Sequence, residues 1–173
     1  MATEEELRRG FESSDKEILR NEIRFVFESL RGKSINSLPS IFLCINPSIP
    51  SIEFDESKIR EMEEDKFLNE FYVAKKWLSQ FQTKDLRKRG MNKNRSSQKL
   101  KDIVENWSGI HYIPNQALII AASALNIPFE KADYDSRVVF FPFKEQAILQ
   151  RKEEARRRYE LRSQTLQSPL NVL

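Results

Sequence analysis

Gln116-Ala117-Leu118-Ile119-Ile120-Ala121-Ala122-Ser123-Ala124-Leu125 carries no charge and only two polar side chains. Alanine and leucine favour helix, and a helix that is apolar all round has no face to offer to water. The stretch therefore predicts a core helix from about Asn115 to Leu125, approached through Pro114 with Asn115 as its cap. Its alanines let neighbouring elements come close.

Upstream, Ser96 or Ser97 can cap a helix in which Leu100, Ile103, Val104 and Trp107 repeat at helical spacing, with Ser108-Gly109 after it. Downstream, Ile127–Phe129 and Arg137–Phe143 flank Asp133-Tyr134-Asp135-Ser136, which reads as a β-hairpin. Helix, turn, helix and hairpin suggest a winged-helix-like core over residues 64–143. The second helix of such a unit normally carries the base-reading side chains. Here it offers only Gln116 and Ser123, so base-specific readout is not expected.

Further out, Ser14 and Glu17 form a capping box for a helix over 14–31, whose stripe is Leu19, Ile23, Val26 and Leu30, and which stops at Gly32. Residues 34–54 read as an extended Ser/Ile/Pro-rich connection around one short strand, Ile41 to Ile45. One long helix is expected from about Glu56 to Phe81, with Phe67, Phe71, Ala74, Leu78 and Phe81 on its apolar face. Residues 144–163 read as a charged C-terminal helix with a thin apolar stripe (Ile148, Ala155, Tyr159), projecting from the body or awaiting a partner. A frayed tail, 164–173, follows. The expected fold is mainly α with a small β-hairpin, an α+β chain of about five helices. Residues 1–143 form a single globular domain.

Composition agrees: 173 residues bound one domain, 39% apolar residues with 12 Phe supply a core, and four Gly disfavour all-β folds and phosphate-binding loops. No segment reads as a secretory signal, and the uncharged run Ser34 to Ile52 is broken by Pro39, Pro47 and Pro50, so no membrane span is expected. The single Cys44 forbids an internal disulfide and fits a reducing compartment, the cytoplasm of a bacterium or a host cell.

The functional signal is a charge step. Between positions 84 and 101 lie Lys84, Arg87, Lys88, Arg89, Lys93, Arg95, Lys99 and Lys101 against one acid, Asp85: +7 in a chain whose net charge is +3. Residues 1–83 carry −4, and residues 102–173 balance to zero. Such a cluster attracts nucleic acid, another polyanion or an acidic protein surface, with a strength set by salt rather than by sequence. Its Gly90-Met91-Asn92 centre reads as a turn or mobile loop. Arg87, Lys88, Arg89, Lys93 and Arg95 lie outside both flanking apolar stripes, so exchanging them is expected to leave the fold intact. No aromatic is interleaved between Lys84 and Lys101, which argues against a stacking platform for single strands. The bland reading of any charge run is solvated surface.

Other candidates are weaker. His111, the only histidine, has no Cys or acid at ligand spacing, so its expected role is packing and hydrogen bonding beside Tyr112, not metal binding. Cys44, in Ile41-Phe42-Leu43-Cys44-Ile45, reads as an inert buried thiol. Glu61, Glu63, Glu64 and Asp65 read as a solvated helix face, lacking the glycine turns and alternating ligands of a cation site. No catalytic motif, metal site or cofactor is expected.

Ser96-Ser97, Leu100-Lys101, Glu105, Tyr112, Asn115, Ala117, Ile119 and Ala121-Ala122 resemble a family of short uncharacterised proteins from bacterial mobile elements, plasmids and prophages. In that family a Ser-Ser-Tyr-Gly-Leu-Lys-His-like segment precedes a Tyr-x-Asn-Gly-Ala-Phe-Ile-x-Ala-Ala-like helix start. Gln98 and Lys99 here replace the Tyr-Gly pair, and Gln116 replaces the Gly after the Asn. The resemblance covers residues 96–126 and implies a cytoplasmic accessory protein, with no catalytic residues to carry over.

Two functions are expected to compete. The first is a small non-enzymatic binding protein using the basic face, 84–101, on nucleic acid or another polyanion. The alternative is a protein-interaction, inhibitor or assembly subunit docking through 34–54 and the C-terminal helix.

Overall fold

A computed structural model describes residues 13–30, 38–39, 56–110 and 112–167. Among them are six α-helices and one two-stranded hairpin, the mainly helical α+β class that the patterning predicts. The helices are α1 (Ser13–Leu30), α2 (Glu56–Met62), α3 (Asp65–Leu78), α4 (Ser97–Ser108), α5 (Asn115–Ala124) and α6 (Glu145–Gln167).

Helix α5 is the core element. Every side chain from Ala117 to Ala122 is fully enclosed, with α3 packed most heavily against it and α1 and α4 on other sides. A helix so enclosed cannot enter a nucleic-acid groove, which removes the base-reading role of a winged helix. Its N-cap is Pro114, which has no side-chain donor or acceptor. Asn115 does not cap as expected: its amide instead donates to the carbonyl of Arg137, tying α5 to the hairpin. Asn126, with φ of 55°, ends the helix in the left-handed region, where Asn is among the few side chains that sit easily.

Helix α1 buries Leu19, Ile23, Val26 and Leu30, the stripe read from its spacing. The single helix expected over 56–81 is two. It breaks at Glu63-Glu64, where Glu64 is extended (φ −69°, ψ 146°). No Pro or Gly marks the place. The break is held from outside, by Arg20 donating to the Glu63 carbonyl at 3.2 Å and Arg24 donating to the Glu63 carboxylate at 2.9 Å. Lys16 reaches Asp65 at 2.6 Å. Of the four acids read as a solvated face, Glu63 is largely covered by Arg20 and Arg24 of α1, whereas Glu61, Glu64 and Asp65 are exposed, Asp65 while pairing with Lys16. Helix α3 then buries Leu68, Phe71, Ala74, Trp77 and Leu78.

Glu70, on α3, is only 6% exposed, and burial raises its carboxyl above the ordinary 4.5 despite the opposing charge of Lys66. A folded-state value above the unfolded one means that ionisation works against the fold, an effect that fades as pH falls through the raised value. Glu70→Gln should accordingly raise the Tm at neutral pH and lose that advantage towards pH 4.5. Thermal melts of both proteins across that range check it; a variant that melts lower than the parent at neutral pH contradicts it.

Helix α4 is capped at its start by Ser96, whose hydroxyl accepts from the Lys99 amide, and at its end by Gly109, φ 76°. The hairpin pairs β1 (Glu130–Lys131) with β2 (Val139–Phe140), antiparallel, with Glu130 opposite Phe140 and Lys131 opposite Val139. The first strand thus falls later than Ile127–Phe129. Asp135 turns the chain by accepting from the Arg137 amide at 2.9 Å, and Val139, Phe141 and Phe143 enter the core.

Helix α6 does not project. Ala147, Ile148 and Ala155 are buried, and it runs along α4. Arg95, just before α4, reaches Glu145 at the start of α6 at 2.8 Å. Arg162 donates to the carbonyl of Trp107 near the end of α4 at 3.2 Å. The two helices therefore run side by side in the same direction. Arg162 also donates to the Asn106 carbonyl, so it caps the C-terminus of α4 with a cation, the favourable sign at that end of a helix dipole. The helix continues to Gln167, into the stretch expected to fray.

Candidate nucleic-acid interface

The basic stretch is built as an excursion between two bridges to one strand. Leu86 pairs with Phe143 and Ser96 with Phe140, on the edge of that segment away from β1. Before the excursion, Thr83–Asp85 form a 3₁₀ turn closed by Asp85, whose carboxylate accepts from the Gln82 amide at 2.9 Å. The Arg87 amide donates to the Pro142 carbonyl at 2.6 Å. Gly90, φ 71°, supplies the left-handed turn that a β-branched or bulky residue would resist.

Asn92 anchors the loop. It is 1% exposed. Its amide NH donates to the Phe141 carbonyl at 2.8 Å. Its side-chain NH2 donates to the Phe143 carbonyl and to the Glu145 carboxylate, both at 3.1 Å, and its side-chain oxygen accepts from the Asn94 amide. The loop expected to be a turn or mobile segment is thus pinned at its centre by a buried side chain.

This framework divides the eight cations. Arg87 donates to the Met91 carbonyl at 3.0 Å, closing the loop across its base. Lys93 pairs with Glu130 and lies 5.1 Å from the centre of the Phe140 ring. Arg95 places two nitrogens on one oxygen of Glu145, at 2.8 and 2.5 Å. That pairing raises the Arg95 value, and it holds the Glu145 carboxyl below its ordinary range with help from Asn92. Lys101, only 8% exposed, reaches Glu105 at 3.2 Å and sits 4.9 Å from the Tyr112 ring centre. Glu105 in turn accepts from the Ile113 amide at 2.9 Å, fixing the connection into α5.

The expectation that Arg87, Lys93 and Arg95 could be exchanged without touching the fold is therefore corrected. They lie outside the apolar stripes, yet each holds a specific partner. The other four differ. Lys84, Lys88 and Arg89 are exposed and form no side-chain bond among the described residues. Exposed Lys99 has only the Asn94 carbonyl, at 3.4 Å. These four keep their charge available to a ligand.

Of the other sequence candidates, His111 and Cys44 lie outside the described residues. So does the 34–54 connection apart from Leu38 and Pro39, both buried. Among the described residues no group of three or more His, Cys, Asp or Glu side chains could hold a metal ion, and no helix is long and apolar enough to cross a membrane. Glu130 and Glu145 carry no signal in the sequence, because the fold brings them to the loop from thirty-seven and fifty residues away, whereas Glu105 stands at i,i+4 from Lys101, a spacing that helix periodicity could have found. No protein-family model matches the chain, nor does any curated protein or solved structure.

Proposed function

We propose that the chain is a small non-enzymatic binding protein that engages nucleic acid through phosphates, without reading base sequence, by way of Lys84, Lys88, Arg89 and Lys99. The observation that carries this reading is the division of the basic stretch. Four cations hold side-chain partners within the chain, the exposed Lys93 among them, and the remaining four are exposed with no acid paired to them among the described residues, on a framework held by Asn92. Charges held on a rigid support and unmatched by nearby acids attract a polyanion without first breaking an ion pair. With α5 enclosed, the helix that a winged helix would lay in a groove is not available, which favours contacts to the nucleic-acid backbone.

Binding should weaken linearly in log K against log salt. Four phosphate contacts on duplex DNA give a slope of about −3.6, at about −0.9 for each. Random-sequence duplexes should bind alike. Titration at several salt concentrations checks both. A parent protein that binds no DNA or RNA at low ionic strength, and is retained instead by a protein, would favour docking to an acidic partner surface.

A further inference from the structure

We propose that the groove between α4 and α6 is a stacking site for single-stranded nucleic acid, a deepening that rests on the phosphate-binding reading above. The groove, of about 620 Å³, opens beside Arg95 and Lys99 and runs along both helices to Asn106 and Tyr159. It therefore begins inside the basic stretch itself.

Its charges are sorted. Glu153 is held at about 2 by hydrogen bonds from Arg156 and Arg157, and Asp102 lies 3.8 Å from Lys101. Arg95 is committed to Glu145. Lys99 and Lys152 remain without an ion pair among the described residues, one on each wall. The lining therefore carries four cations, Arg95, Lys99, Lys152 and Arg156, against two acids, Glu153 and the exposed Asp102, and that positive balance suits an anionic backbone.

The floor decides the class of ligand. Ile103 and Ala155 are already covered, at 6% and 1% exposure, whereas Leu149 and Tyr159 stand open at 48% and 56%. A docked amphipathic helix needs three or four apolar anchors in line, and only two open surfaces exist. An unpaired base needs one flat face, and an open tyrosine ring gives it one whatever the base. Duplex DNA, its bases already stacked, gains nothing from that ring. No aromatic is interleaved in the basic stretch; the fold brings one across from α6.

The test measures binding of the full chain to a dT12 oligonucleotide and to a random duplex of equal length, each at several salt concentrations. Tyr159→Ala should weaken dT12 binding about tenfold, with the salt slope and duplex affinity unchanged, and Tyr159→Phe should restore it. Lys99→Gln with Lys152→Gln should flatten the dT12 slope by about 1.4, from two contacts at about 0.7 each. Matched melting curves establish that the variants are folded. If Tyr159→Ala binds dT12 as the parent does, while Lys84→Gln, Lys88→Gln and Arg89→Gln together weaken it, the groove inference falls and the phosphate reading stands. If the parent binds neither probe, both fall. A synthetic acidic peptide of Glu and Leu that occupies the groove without displacing dT12 also overturns the inference.

Discussion

Ile119→Asp, or Ala121→Glu, is expected to leave the chain without a cooperative folded state. Both side chains are fully enclosed within α5, among α3, α1 and α4. No described basic side chain is paired into that core, so the new carboxylate would either ionise in an apolar interior or take up a proton. Either course costs several kcal/mol, about the whole margin of a domain this size. Ile119→Val serves as the control: it removes one methylene and should cost about 1 kcal/mol. Circular dichroism melts check the set. A Tm for either acidic variant within a few degrees of the parent would show that α5 is not the core.

Asn92→Ala is the second large effect. The substitution removes both side-chain donors and the acceptor, leaving the buried Phe143 carbonyl without the Asn92 amide and Glu145 with Arg95 alone. An orphaned buried group costs about 1–3 kcal/mol, so a loss of about 3 kcal/mol is expected for the set. The change should also release the excursion between Leu86 and Ser96, which faster amide exchange at Arg87, Asn92 and Arg95 would report. Unchanged exchange at these amides would mean that the two bridges to Phe140 and Phe143 hold the loop unaided.

How much of this was legible in the sequence depends on what each feature is made of. Helix α5 could be read directly, because ten residues without charge admit few other placements. Helix α4 could be read from Ser96, Gly109 and its apolar stripe, all local signals. The break at Glu63-Glu64 could not. Its cause is Arg20 and Arg24, more than thirty residues away in sequence. The thin apolar stripe of α6 suggests a helix that projects or awaits a partner, yet it packs along α4. Its hold on the body adds polar side chains to the buried Ala147, Ile148 and Ala155: Arg151 on the Gln80 carbonyl at 2.9 Å, Arg158 stacked 4.7 Å from the Trp107 ring centre, and Arg162 on the end of α4. Hydrophobic periodicity is blind to such contacts.

The candidate site shows the same limit. The total charge between Lys84 and Lys101 is a property of composition, and it was read correctly as a count. Which of those charges are available is a property of the acids placed opposite them. Glu130 and Glu145 come from the hairpin and from the first turn of α6, thirty-seven and fifty residues from Lys93 and Arg95. No local pattern joins them to the loop.

Two charge-matched variants separate the half of the basic stretch that serves the fold from the half that serves a ligand. One carries Lys84→Gln, Lys88→Gln and Arg89→Gln; the other carries Arg87→Gln, Lys93→Gln and Arg95→Gln. Each loses three positive charges, so any effect of net charge alone is shared. Affinity for a random duplex and Tm are measured for both under the same conditions. The first variant should lose most of its binding and keep its Tm, while the second should lose several degrees of Tm through the broken contacts to Glu145, Glu130 and Met91. Equal losses of binding with no difference in Tm would contradict this division, and would show the eight cations to be one undivided surface.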